Sequence, residues 1–126
     1  MILFSAPANF LAPELRSEWE ERYGLRSQAV RDRAELPELP AVRAWIPDPG
    51  QTFVAGAEIV ESFPALEVVV TPSTGSNHLD REALEAKGIA VRSLLDDRAS
   101  LDRIRASSEF TLLLVLASLR RFPTAL

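Results

Sequence analysis

Cysteine is absent from the 126 residues, which excludes disulfide staples, thiol catalysis and cysteine-ligated zinc together. Histidine is almost absent. His78 is the only one, and catalysis by it would need an orienting partner that the sequence does not show. There is no excess of positive charge: 14 basic and 18 acidic residues are mixed along the chain, for a net charge of −4. Without a basic stripe, nucleic acid is not an expected partner. Long apolar runs are also missing. The longest, Phe110 to Leu119, contains Thr111 and Ser118 and reaches about half of the ~20 residues that a membrane span needs. Met1 to Pro7 is apolar but too short, and without basic flanks, for a signal peptide. No cluster of acidic residues and histidine has metal-ligand spacing. These absences lead to the expectation of a soluble, cytoplasmic domain with no membrane or metal partner.

What is present is ordinary globular composition, 47% hydrophobic and 25% charged. The length fits one compact domain, able to bury roughly two-thirds of its unfolded surface without a staple. Ile2 to Ser5 reads as a first strand. Leu11, Leu15, Trp19 and Tyr23 recur every fourth residue and predict an amphipathic helix, with Pro13 in its first turn and Gly24 as its left-handed cap. Leu25 to Val30 and Ala41 to Ile46 are the next strands, the latter ending at Pro47-Asp48-Pro49-Gly50. Phe53 to Phe63 reads as a helix stopped by Pro64.

Leu66 to Val70 is the most strand-like segment. Its valine run lacks alternation, the pattern of a strand covered on both faces. Asp80 is placed as N-cap of a helix over Arg81 to Lys87, with Leu79 and Leu84 as a staple, and Ile89 to Arg92 gives a fifth strand. A turn around Leu101 and Ile104 precedes a last helix, apolar nearly all round, closing with Arg120, Arg121 and Pro123. This alternation predicts an α/β, flavodoxin-like fold: a five-stranded parallel sheet with helices on both faces and an apolar C-terminal helix.

Ligands in such folds sit beyond the C-terminal ends of the strands. The turn Thr71-Pro72-Ser73-Thr74-Gly75-Ser76-Asn77 leaves the fourth strand there. Small residues let a ligand approach the backbone, and successive amides from Ser73 to Ser76 can cradle a carboxylate. A surface turn in which Gly75 only supplies an unusual φ is the plain alternative.

Two stretches resemble the D-isomer-specific 2-hydroxyacid dehydrogenase family. Ser73-Thr74-Gly75-Ser76-Asn77-His78-Leu79-Asp80 is similar to its Ser-x-Gly-x-Asp/Asn-x-Ile/Leu-Asp signature, followed at the expected spacing by Ala83-Leu84 and Lys87-Gly88-Ile89. Ile104 and Ala106 to Thr111, then Leu116-Ala117, Arg120-Arg121 and Pro123, resemble its interdomain helix. The likeness covers about residues 64 to 125.

The resemblance implies that the amides of Thr74 and Gly75, with Ser73 beside them, hold the carboxylate of a small 2-hydroxy or 2-oxo acid. It also implies a substrate-type domain over 1–106, an interdomain helix over 107–126, and NAD or NADP as cofactor of the complete family protein. The five glycines never show the Gly-x-Gly-x-x-Gly spacing of the family's phosphate loop. Its catalytic arginine, acid and histidine fall after this helix. The expectation is therefore a substrate-domain fragment that lacks the nucleotide-binding domain, binds no cofactor and has no catalytic residue of its own. The alternative is a non-catalytic module, either dimerising through the helix Ser107–Phe122 or binding small carboxylates.

Other residues draw plainer expectations. His78 reads as a solvated or capping turn histidine, Asp96-Asp97 as a solvated loop pair and Glu109 as an acid placed at a helix N-terminus. Trp19 reads as core. Trp45, beside the Pro47–Gly50 loop, has a claim both to the core and to lining a cleft.

Overall fold

Strand and helix alternate as expected in a computed structural model of the protein, which describes residues 1–120. The expected features at Arg121, Phe122 and Pro123 lie outside the described residues. The chain forms two compact units, Met1–Asp96 and Asp97–Leu126.

The first unit is built on five short strands: β1 (Ile2–Phe4), β2 (Leu25–Ser27), β3 (Ala44–Ile46), β4 (Val68–Thr71) and β5 (Ala90–Ser93). All neighbours are parallel and the order is β2-β1-β3-β4-β5. This is the doubly wound order in which the chain reverses direction of growth between β1 and β3. The pairing register aligns Leu3, Trp45, Val69 and Val91 in one row. Side chains alternate along a strand, so the row points to a single face. All four are fully buried there, packed with Ile59, Phe63 and Leu84. Trp45 and Phe63 meet in a tilted pair with centroids 5.6 Å apart.

The opposite face carries a smaller cluster of Phe4, Ala6 and Leu25, against which Leu11, Trp19 and Ile46 pack. Its helix is α1 (Pro13–Tyr23), whose C-cap Gly24 sits at φ 63° with its amide on the Trp19 carbonyl. The apolar stripe expected on α1 is only partly used: Leu15 and Tyr23 are exposed and no residue of α1 is buried. Four-residue steps overshoot the 3.6-residue turn and carry the stripe around the helix. The valine run is likewise covered on one face more than the other, for Val69 is buried and Val68 and Val70 are half-buried.

Helix α2 (Arg81–Ala86) begins as expected, with the Asp80 carboxylate accepting the Ala83 amide at 3.0 Å. The helix expected over Phe53 to Phe63 is reduced to a 3₁₀ segment, Ala57–Glu61. The backbone before it is committed elsewhere. Ala55 donates to the His78 carbonyl and accepts from the Asp80 amide, an isolated parallel bridge that leaves no helical ladder to start.

The second unit holds α3 (Arg98–Leu101) and α4 (Ala106–Leu119). The hydroxyls of Thr111 and Ser118 donate to the carbonyls of Ser107 and Leu114 in the preceding turns. After Ser107, Ser108 and Glu109 in the first turn, the rest of the surface of α4 is apolar, and within its unit nothing among the described residues covers it. No helix among the described residues is long and apolar enough to cross a membrane.

Candidate functional site

The C-terminal ends of β3 and β4 place two loops side by side, residues 47–56 and 72–80. Pro72 leaves β4, and the turn that follows exposes Thr74 and Gly75 while Ser73 and Ser76 are half-buried. Three bonds define its course. The Leu94 amide donates to the Ser73 carbonyl (3.2 Å), the Leu79 amide to the Ser76 carbonyl (2.9 Å), and the Gly75 amide to the Ser73 hydroxyl (3.1 Å). Among the described residues the Thr74 amide has no acceptor. Of the two donors to which the resemblance points, one is open to solvent and the other is held by a hydroxyl that can rotate away.

Gly75 does not have the left-handed φ of the plain reading. The positive-φ glycines are Gly24 and Gly88. A Cβ at position 75 would meet nothing closer than the Ser73 hydroxyl at 3.8 Å, an ordinary contact. Neither backbone strain nor packing therefore asks for glycine there.

His78 departs from its expectation. It is buried, 8% exposed, and its Nε2 lies 3.1 Å from the hydroxyl of fully buried Thr71. Its carbonyl accepts from the Ala55 amide (2.9 Å) and from Nε2 of Gln51 (3.1 Å). Burial pushes its pKa below the usual value for histidine, and the negative charge of Asp48 opposes that shift. The Thr71–His78 pair left no mark in the sequence, because residues bracketing a loop meet only when the loop closes.

The tryptophans divide between the two expectations held for Trp45. That residue is fully buried and its indole N–H donates to Ser5 Oγ at 2.9 Å, so it lines no cleft. Trp19, expected in the core, packs half-buried against the Phe4, Ala6 and Leu25 cluster and also lines an apolar cavity of about 360 Å³ with Phe4, Ile46, Val70 and Pro72. The cavity marks where the α1 face of the sheet is incompletely covered. Its lining offers no charged side chain to a carboxylate.

Asp96 and Asp97 are both exposed, as expected, and each carboxylate also accepts a local hydrogen bond. Asp96 accepts from the Ser93 amide and sits near Arg81 and Arg92, which together hold its carboxyl below the usual range. Asp97 caps α3 through Ser100 and is lowered by that bonding. No group of acidic residues and histidine that could hold a metal ion occurs among the described residues.

A dinucleotide pyrophosphate needs a glycine-rich turn opening onto a helix N-terminus. Here Gly24 and Gly88 follow helices rather than precede them, and the N-terminus of α2 already carries the Asp80 carboxylate. Neither of these two glycines therefore forms such a turn.

Comparison with known proteins gives likeness of structure. No protein-family model matches the chain, and no curated protein matches it. The TT0316 protein from Thermus thermophilus matches over 98% of this chain and 38% of its own, with 26% identity and a TM-score of 0.73. D-lactate dehydrogenase from Aquifex aeolicus, solved with NAD and lactic acid, matches over 74% of this chain and 27% of its own (21% identity, TM-score 0.59). NAD-dependent formate dehydrogenase from Staphylococcus aureus, solved with NAD, matches over 74% and 30% (22% identity, TM-score 0.53). The chain thus spans 27–38% of the length of these three proteins. It shares their fold over that span.

Proposed function

We propose that Met1–Asp96 is the substrate-holding part of an NAD(P)-dependent 2-hydroxyacid oxidoreductase, in which the turn at Ser73, Thr74 and Gly75 takes the carboxylate of a small 2-hydroxy or 2-oxo acid. The observation that carries this reading is the turn itself. At the C-terminal end of β4 it presents an unengaged Thr74 amide beside Gly75, a glycine for which backbone and packing give no other reason. A carboxylate placed there accepts two adjacent amides, the Gly75 donor turning from the Ser73 hydroxyl to the stronger, charged acceptor. In this reading, hydride transfer belongs to the complete two-part protein, and these residues contribute orientation of one end of the substrate.

The test is a titration of the 126-residue chain with pyruvate, followed by amide ¹H–¹⁵N shifts. Saturable shifts centred on Thr74 and Gly75 are expected, and their replacement by proline (Thr74→Pro) or a side chain (Gly75→Val) should abolish saturation. No shift, or shifts confined to the sheet's apolar cavity, would reject the reading.

One observation favours a second role for the second unit. Leu112, Leu113, Val115, Leu116 and Leu119 of α4 are each at least half exposed, and the helix has no polar face of its own. Pairing of α4 with its copy in another chain, giving a homodimer, would cover it.

A further inference from the structure

We infer that His78 is the positioning residue of the carboxylate-holding turn. It clamps the turn's two ends together and so sets the direction in which the Thr74 and Gly75 amides point. The inference rests on the reading of the turn given above, but the clamp itself can be tested without it.

Thr71 is the last residue of β4 and His78 the first buried residue after the turn. Between them run residues 72–77, of which Pro72, Thr74, Gly75 and Asn77 are exposed. A loop with so little burial of its own takes its shape from its ends. Here the ends are joined side chain to side chain by the 3.1 Å contact between His78 Nε2 and Thr71 Oγ1, inside the protein. The imidazole cannot swing away cheaply. Its backbone carbonyl already holds the Ala55 amide and the Gln51 side chain, which fixes the ring's origin against the neighbouring loop. On the far side, the Leu94 amide pins the Ser73 carbonyl.

Clamped in this way, the amide donors are oriented before a ligand arrives, and less ordering remains to be done on binding. A histidine that merely filled space would need no hydroxyl partner. A leucine would do as well.

The experiment compares His78→Leu, Thr71→Val and His78→Gln in the 126-residue chain. Glutamine reaches about as far as Nε2 and keeps a polar nitrogen there. Amide hydrogen exchange is read without ligand at Gly75 and Leu94, whose bonds report the turn, and at Val69 and Val91 in the core. His78→Leu and Thr71→Val are expected to speed exchange at Gly75 and Leu94 by roughly tenfold, the scale of one buried hydrogen bond lost, with the core amides unchanged. Their double variant should add little, and His78→Gln should restore most of the protection. Pyruvate affinity should follow the same order.

Unchanged exchange at Gly75 and Leu94 would overturn the clamp, as would equal acceleration at turn and core. Failure of His78→Gln to differ from His78→Leu would overturn it too. If His78→Leu does not fold, the near-isosteric Thr71→Val decides alone. A chain that shows the clamp by exchange but takes no pyruvate rejects the carboxylate reading and leaves the clamp standing.

Discussion

Burial lowers the folded-state pKa of His78 below 6.5, so the unfolded chain takes up a proton first as pH falls. Between 6.5 and the folded value the unfolded state therefore binds more protons, and stability rises with pH across that window and is fully present above it. A urea series between about pH 7.5 and about pH 5 should show the midpoint moving down on acidification. In His78→Gln that segment should be flat. Asp96 and Asp97 have lowered values as well, starting from 3.8. Their contribution is present above 3.8 and disappears only below it, a separate and more acidic window in which the variant should still lose stability. A midpoint indifferent to pH above about 5 in the unmodified chain would contradict the buried, neutral imidazole.

At the scale of elements, the helix ends were legible because their chemistry is local. Gly24 and Asp80 bond groups only three to five residues away, and Pro13 stands in the first turn, where no intrahelical donor is lost. The segment Phe53 to Phe63 was not legible, because the bridge between Ala55 and Leu79 joins residues from different parts of the chain and outcompetes a helix. Helix α4 poses the converse case, an apolar pattern that nothing among the described residues of its own unit covers. Each large apolar side chain there stands to gain about 1.5–3 kcal/mol on full burial. Several together are of the same order as the roughly 4–15 kcal/mol that association costs, so a well-packed pairing is what would hold. The 126-residue chain is expected to sediment as a dimer at micromolar concentration, and Leu113→Asp or Leu116→Asp to sediment as a monomer. A monomer before any substitution would remove the dimer from consideration.

For the whole molecule, the sheet order places two loops at the C-terminal edge, one with amide donors and one braced behind it. The same fold leaves the α1 face partly open at β3 and β4, where Ile46 and Val70 border the cavity. The glycines show no Gly-x-Gly-x-x-Gly spacing. Purified as 126 residues and mixed with NADH and 2-oxo acids, the chain is expected to show substrate-dependent shifts at the turn but no loss of NADH absorbance. Turnover would show that these residues contribute more to the chemistry than orientation of a carboxylate.

Residue order alone was enough for the strand–helix alternation, the parallel fold, the capping residues and the position of the small-residue turn. Each of these follows from periodicity or from contacts a few residues long. Three outcomes needed the assembled fold: which tryptophan is core and which lines a cavity, that Gly75 is free of φ strain, and that His78 is bonded to Thr71 within the protein. They depend on which distant segments arrive beside one another once the sheet is built, and no local pattern encodes that meeting.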